Sequence, residues 1–431
     1  MYPRFYHSTC VLSCMAQRYV FLKKTGIPKK HLIRVPKSPS YSTLFCMNPP
    51  TFCAKESDHL AQGKERSLLY LRPNSYLDRL LTLLTVTGEY PYRSLSLLGN
   101  RRVLTTLVRS LQQPQLVQIP NASPISGRIL SVSGHGAYKT IRLHRSAFPL
   151  LQHLYPGALQ TYLRVTRQHR FAGGPEHIGR NHRIAETAAM CMMAGIEIRP
   201  SFLAPLATAT QPYVTAPSFY LARFFKQALT GLNKTIFTRI TGMLLNPTQS
   251  YALYNARQSK MKWNGMGEFK ALQLLRDVSY TTTGQASDSA ILFGASPDNL
   301  PLSDEQRFDS IYPNIHFVPL DRNGVALLRL LCLPHASTRL QSLLFPAEMR
   351  HTSPYIECDA QTENRCILSY LDGNIARLLR FKEAALFYGS QYDYEVLCYP
   401  WQQPFVQSYM ETIAAIRVIP MEQIQERISV F

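Results

Sequence analysis

What the first part of this chain lacks is negative charge. Residues 1–180 hold 6 Asp and Glu against 25 Lys and Arg, whereas the rest of the chain holds 21 against 22. The formal net charge of +20 is therefore gathered almost wholly in the first two-fifths. A basic half joined to a neutral half suggests a module for a polyanion attached to a module with another job. Nucleic acid leads as that polyanion. An anionic membrane surface fits less well, because no long basic amphipathic helix is visible.

Other absences narrow the class. No window approaches 18 uninterrupted apolar residues, so no membrane-spanning helix and no membrane insertion are expected. The basic stretch "MYPRFYHSTCVLSCMAQRYVFLKK" interrupts its apolar residues with Arg4, His7, Gln17 and Arg18. It has no continuous apolar core of the secretory kind, so a cytoplasmic protein is expected. The nine cysteines (10, 14, 46, 53, 191, 332, 358, 366 and 398) include no CxxC pair. Neither Cys10/Cys14 nor Cys358/Cys366 has a matching pair at zinc-finger spacing, so reduced thiols and no metal are expected. The GxxxxGKS/T loop, a GxGxxG after a strand, the GxSxG elbow and HExxH are all missing, and no cofactor is expected.

What is present reads as three parts. Residues 1–66 mix Pro, Ser and Lys without a sustained period and read as a basic, disordered stretch, with Met47 a candidate alternative start. Residues 67–156 become regular. "NSYLDRLLTLLTV" predicts a helix with a broad apolar stripe, ended by Gly88. "YPYRSLSLLG" predicts a short second helix with Pro91 in its first turn. Asn100 caps a third helix, "RRVLTTLVRSLQQ", whose Val103, Leu104, Leu107, Val108 and Leu111 share one side. "QLVQIP", "RILSVS" and "YKTIRLH" follow as strands. Three helices and then a β-hairpin is the plan of a winged helix-turn-helix.

On that plan the third helix is the recognition helix, and double-stranded DNA is the expected partner. Arg101, Arg102, Thr105 and Arg109 point away from its apolar side. Arginine forks onto guanine edges or phosphates. Arg128, Lys139, Arg142 and Arg145 lie on or beside the hairpin, where a wing touches backbone phosphate. Winged helices also dock proteins, and exposed arginines are often only a solvated face, so a docking scaffold without DNA binding stays open.

Residues 177–431 alternate strand and helix, which predicts an α/β domain around a central mixed sheet. "AGGPEH" reads as a linker before it. The Met-rich face of "HRIAETAAMCMM" reads as core, and His177 and His182 as capping or surface positions rather than ligands. A metal-dependent nuclease of restriction-endonuclease-like fold needs an Asp at one strand end and Glu-x-Lys on the next strand. Glu268-Phe269-Lys270 supplies the second pattern but opens a predicted helix, and "RITGML" carries Gly242 where the Asp belongs. Glu186, Glu268 and Lys270 are therefore weak catalytic candidates, and Glu357/Asp359 in "YIECDA" is a further carboxylate pair of the same weight. Trp263, among Lys260, Lys262 and glycines, could stack on a base, but a Trp packed against the sheet edge is the plainer reading.

The order of winged helix, the opening "HRIAETAAMCMMAGIEI", then "YALYNARQSKMKWNGMGEFKALQLL" and the late "VLCYPWQQPF" resembles the replication-relaxation family of plasmid and integrative-element proteins. The resemblance covers roughly residues 70–415 and rests on element order and diffuse residues. It implies a winged helix followed by a restriction-endonuclease-like domain, and a role in plasmid replication or in DNA transfer (conjugation) of a mobile element. A relaxase or replication protein is the partner it implies. Arg101, Arg102 and Arg109 match its recognition-helix positions, and His182 and Arg183 the start of its second domain. The family's acidic pattern is not met, since Gly242 replaces the acid. The expectation is therefore a DNA-binding accessory protein rather than an enzyme.

Overall fold

The computed structural model describes residues 68–119, 123–171, 173–203, 214–225, 239–259, 263, 266–297, 300, 311–350 and 355–428. The Pro/Ser-rich stretch 1–66, Met47, and Cys10, Cys14, Cys46 and Cys53 lie outside these residues, as do Lys260 and Lys262.

β1 (Leu68–Tyr70) precedes α1 (Tyr76–Thr87), which begins where Ser75 accepts the Asp78 N–H and stops at Gly88. Leu77, Leu80, Leu81, Leu83 and Leu84 are buried, as the stripe requires. The expected second helix is replaced by β2 (Glu89–Pro91) and a 3-10 segment, Tyr92–Leu98. Pairing explains the change. β2 lies antiparallel to the strand at Thr140–Leu143, with Tyr90 opposite Ile141 and both fully buried. Tertiary pairing here outweighs local helix propensity.

α2 (Arg101–Leu111) is the predicted third helix. After it come β3 (Pro114–Gln118), β4 (Ile125–Arg128), β5 (Leu130–Ser133) and β6 (Thr140–Leu143). The single expected hairpin is thus two. β3 pairs with β4 and, in parallel, with β1, while β5 pairs with β6, giving sheets β1-β3-β4 and β2-β6-β5. The strand expected over 128–133 is split at Ile129, whose N–H goes to Leu111 O and whose carbonyl accepts from His144. α3 (Phe148–Leu154) and α4 (Pro156–Val165) divide at Pro156, whose ring cannot continue the preceding helix.

α5 (Pro175–Met193) starts inside the stretch read as a linker, with Pro175 in its first turn. Every residue from Ala185 to Cys191 is buried, which is more than a one-sided stripe. The reason is position. α5 packs on α1 and β2 on one side and on elements of the second half on the other. Residues 63–431 accordingly form one compact unit.

The second half is mixed α/β, as expected. In chain order it comprises β7 (Glu197–Ile198), β8 (Ser218–Leu221), α6 (Ala222–Phe225), β9 (Gly242–Leu245), β10 (Tyr251–Arg257), α7 (Met266–Thr283), β11 (Ser289–Gly294), β12 (Asn314–Pro319), α8 (Arg322–Leu331), α9 (Ala336–Leu344), β13 (Ala360–Gln361), β14 (Arg365–Ser369), α10 (Ile375–Tyr388), β15 (Asp393–Cys398), α11 (Gln403–Met410), β16 (Ala415–Val418) and α12 (Met421–Ile428). One central sheet becomes two, of order β12-β11-β10-β9-β8-β7 and β13-β14-β15-β16. β10, β11 and β12 run parallel, as do β14, β15 and β16. The sheets meet where Phe317 N–H donates to Gly373 O at 2.8 Å. β9 and β11 are buried along their whole length, the signature of a sheet covered on both faces. No described helix is long and apolar enough to cross a membrane.

His182 is not the surface or capping residue the sequence suggested. It is buried in α5, with Nε2 2.8 Å from Thr140 Oγ1. That hydroxyl donates to Tyr138 O, so the imidazole is the donor and its Nδ1 stays unprotonated and without a partner. Burial, then the fields of Arg257, Arg93 and Arg142, push its pKa down to about 3. In the unfolded chain an ordinary histidine takes a proton below about pH 6.5. The unfolded state therefore binds more protons in this window, and stability is lost as pH falls from about 6.5 toward 3. Thermal melts between pH 7 and 4 should show a steeper loss of Tm in the natural chain than in His182→Gln, which keeps a donor for Thr140. Parallel curves would remove His182 as the cause.

Candidate nucleic-acid interface

α2 is fixed at both ends and along one side. Asn100 Oδ1 accepts the N–H groups of Arg102 (3.0 Å) and Val103 (3.4 Å). Gly99 sits at φ 143°, and a Cβ there would stand 2.3 Å from the Tyr76 ring, whose hydroxyl accepts the Asn100 N–H. Leu104, Val108 and Leu111 bury the inner side. Val103, read as part of that side, is 49% exposed instead, because it lies one position outside the 104/108/111 row.

The outer side carries Arg101, Arg102 and Arg109, all exposed, with Thr105 half-buried. Arg101 and Arg102 open the helix. The Ile129–Leu111 hydrogen bond brings Arg128 to its other end, and Ser146 Oγ donating to Arg128 O holds the exposed Arg145 nearby. An 11-residue helix is about 15 Å long, so two groups of arginines stand roughly that far apart. Arg101, Arg102, Arg109, Arg128 and Arg145 form no ion pair among the described residues.

Two of the sequence candidates are occupied within the fold. Arg142 places Nε and Nη2 at 2.9 and 2.8 Å from Glu89 Oε2 and lies over the Phe171 ring. Glu89 is buried and also accepts from Asn181, so this pair is part of the packing between β2, β6 and α5. Lys139 is half-buried, its ammonium 4.0 Å above the Tyr92 ring.

The nuclease candidates do not converge. Glu268 and Lys270 lie in the first turn and a half of α7, one buried and the other exposed, not on a strand. Glu268 accepts the Arg239 N–H. Gly242 is forced by packing: a Cβ would meet the Phe219 ring at 2.2 Å and Tyr220 O at 2.7 Å, so no acid fits there. Glu357 and Asp359 are held by Arg377 at 3.0 and 2.8 Å. Among the described residues no group of three or more His, Cys, Asp or Glu could hold a metal ion. Trp263 is 1% exposed, packed edge-on against Tyr254 and Tyr312, which leaves no face for a base.

Sequence reasoning missed what Glu186 does. This buried carboxylate accepts from Ser94 Oγ (2.5 Å) in the 3-10 segment, and from Asn255 Nδ2 (3.3 Å) and Arg257 Nε (2.5 Å) at the end of β10. Asn255 Nδ2 also donates to Arg183 O. One side chain on α5 thereby joins the helical half to the sheet half. Nothing in the spacing marks it, since its partners lie 92, 69 and 71 residues away. Breaking a buried ion pair from one side typically costs about 3–5 kcal/mol. Glu186→Gln should lower unfolding free energy by about that amount in urea titration, and Glu186→Gln with Arg257→Met should lose less. Equal losses would mean that the carboxylate and guanidinium are not coupled.

No family model, curated protein or solved structure matches this chain.

Proposed function

We propose that this chain is a DNA-binding accessory protein that grips duplex DNA through a winged helix made of α1, the 3-10 segment 92–98, α2 and the β5–β6 hairpin. The observation that carries the reading is the outer side of α2. It presents Arg101, Arg102 and Arg109 to solvent without an acidic partner among the described residues, on a helix whose other side is anchored by Leu104, Val108 and Leu111. The strand order β2-β6-β5, with the hairpin following α2, supports it.

Arg101 and Arg102 serve as base or phosphate contacts at the N-terminal end of the recognition helix, where the helix dipole also favours phosphate. Arg109, Arg128 and Arg145 serve the backbone at the other end. Lys139 and Arg142 contribute less, since each is engaged within the fold. The family resemblance would set this binding in replication or transfer of a plasmid or other mobile element, with a relaxase or replication protein as partner.

Binding rests on releasing counterions, so affinity falls steeply with salt. Arg101→Ala with Arg102→Ala should weaken binding to a short duplex by about 2–4 kcal/mol, measured by fluorescence anisotropy at two salt concentrations. The salt slope should shrink as well. Unchanged affinity would discard α2 as the reading helix.

A further inference from the structure

Arg257 ends β10 at the carboxyl edge of the parallel strands β10, β11 and β12, the edge of an open α/β sheet where ligands are commonly held. Its backbone is left-handed, φ 54°, at a register break between Asn255 and Arg257. A bulge of this kind re-aims the side chain, and left-handed backbone at a non-glycine residue is costly. The guanidinium commits Nε to Glu186, while Nη2 is buried and has no partner among the described residues. A buried N–H without an acceptor is an unmet demand for one.

Two more arginines lie on the segments that Glu186 joins to Arg257. Arg183 is half-buried, one turn of α5 before Glu186, and the exposed Arg93 immediately precedes Ser94, which donates to the same carboxylate. Neither guanidinium forms a hydrogen bond or ion pair among the described residues. Arg180 and Arg239 add their fields at Arg183, and among the described residues the carboxylate acting on Arg93 and Arg183 is Glu186. Burial first, and then Arg257, hold both guanidinium groups below their ordinary pKa. The fold thus gathers arginines where they repel one another and, among the described residues, sets Glu186 against them.

We propose that Arg93, Arg183 and Arg257 form a binding site for a phosphate oxyanion, at the seam between the 3-10 segment 92–98 and the carboxyl edge of β10. A phosphate group supplies what the site lacks: acceptors for Arg257 Nη2 and negative charge among the arginines. Planar guanidinium forks match phosphate oxygens in pairs. The phosphate belongs either to a nucleic-acid backbone or to a free phosphoanhydride such as a nucleotide tail. Only the first source rests on the DNA-binding reading.

The test uses the full chain with two probes: inorganic pyrophosphate by isothermal titration calorimetry, and a short DNA duplex by fluorescence anisotropy. Arg93→Gln with Arg183→Gln leaves the Glu186–Arg257 tether intact, and Arg101→Ala with Arg102→Ala is the comparator. The seam variant should bind at least one probe about tenfold or more weakly, the loss expected from removing charge-assisted contacts. Weaker pyrophosphate binding with unchanged duplex binding assigns the site to a free phosphoanhydride, and weaker duplex binding assigns it to a backbone. Without ligand, the seam variant should melt no lower than the natural chain, because like-charge repulsion is relieved. Should it melt lower, Arg183→Lys keeps the charge, loses the fork, and should still weaken the same probe. Equal binding of both probes by the natural chain and these seam variants, or no binding of either, overturns the site. That holds whatever the α2 variant does to DNA. Unchanged duplex binding by the α2 variant, with weakened pyrophosphate binding by the seam variant, overturns the recognition-helix reading alone.

Discussion

The Glu186 carboxylate is a buried joint between the two halves of the molecule. It lies on α5, a helix that packs on both halves, and it is reached from the 3-10 segment by Ser94 and from the sheet by Asn255 and Arg257. Glu186 is withdrawn from the surface, so each bond carries more electrostatic weight than it would in contact with bulk solvent. Loss of one partner leaves the others buried and unmatched. The geometry of α2 relative to the sheet edge depends on this joint, because the 3-10 segment that Ser94 anchors leads directly into α2.

The scarcity of acids in the first half acquires a structural meaning. Among the described residues of that half the acids are Asp78, Glu89 and Glu176. Asp78 accepts the backbone N–H of Asn74 and the Tyr155 hydroxyl, and Glu89 is consumed by Arg142 and Asn181. Glu176 sits in the first turn of α5, where it complements the helix dipole. The two that could neutralise neighbouring arginines are thus largely used up in holding the fold. The exposed arginines at both ends of α2 keep their field, which reaches outward for roughly the Debye length of about 8–10 Å.

Much of the fold was legible in local signals. Asn100 as a cap, Gly88 as a stop and Pro156 as a break each act within one turn of the chain, and each lies where the sequence indicates. The hairpin β9–β10 and the helices α7 and α10 follow from uninterrupted periodic runs. What escaped detection depends on partners far along the chain. Glu89–Pro91 becomes a strand because residues 140–142 are there to pair with it. The stretch 128–133 is split because Ile129 is claimed by Leu111 and His144. His182 and Glu186 look like surface polar residues on a helix and are buried because α5 has neighbours on every side. Of the candidate interface, the arginines of α2 were legible and the loss of Arg142 to Glu89 was not, since their separation of 53 residues carries no pattern.

The same contrast separates two kinds of basic residue in this molecule. Those on α2 are bare because a helix docked on one side has to show the other to solvent, and that alone is compatible with a bland, solvated face. Arg183 and Arg257 are different. They are partly withdrawn from water on segments joined through Glu186, with a strained backbone at Arg257 and a buried N–H that has no partner among the described residues. Solvation cannot account for an arrangement that gives up solvation. Such costs persist where the surrounding structure imposes them for use, and they cluster at sites of binding. Backbone strain and an open donor, rather than exposure, are therefore what set the seam between the halves apart from the more conspicuous outer side of α2.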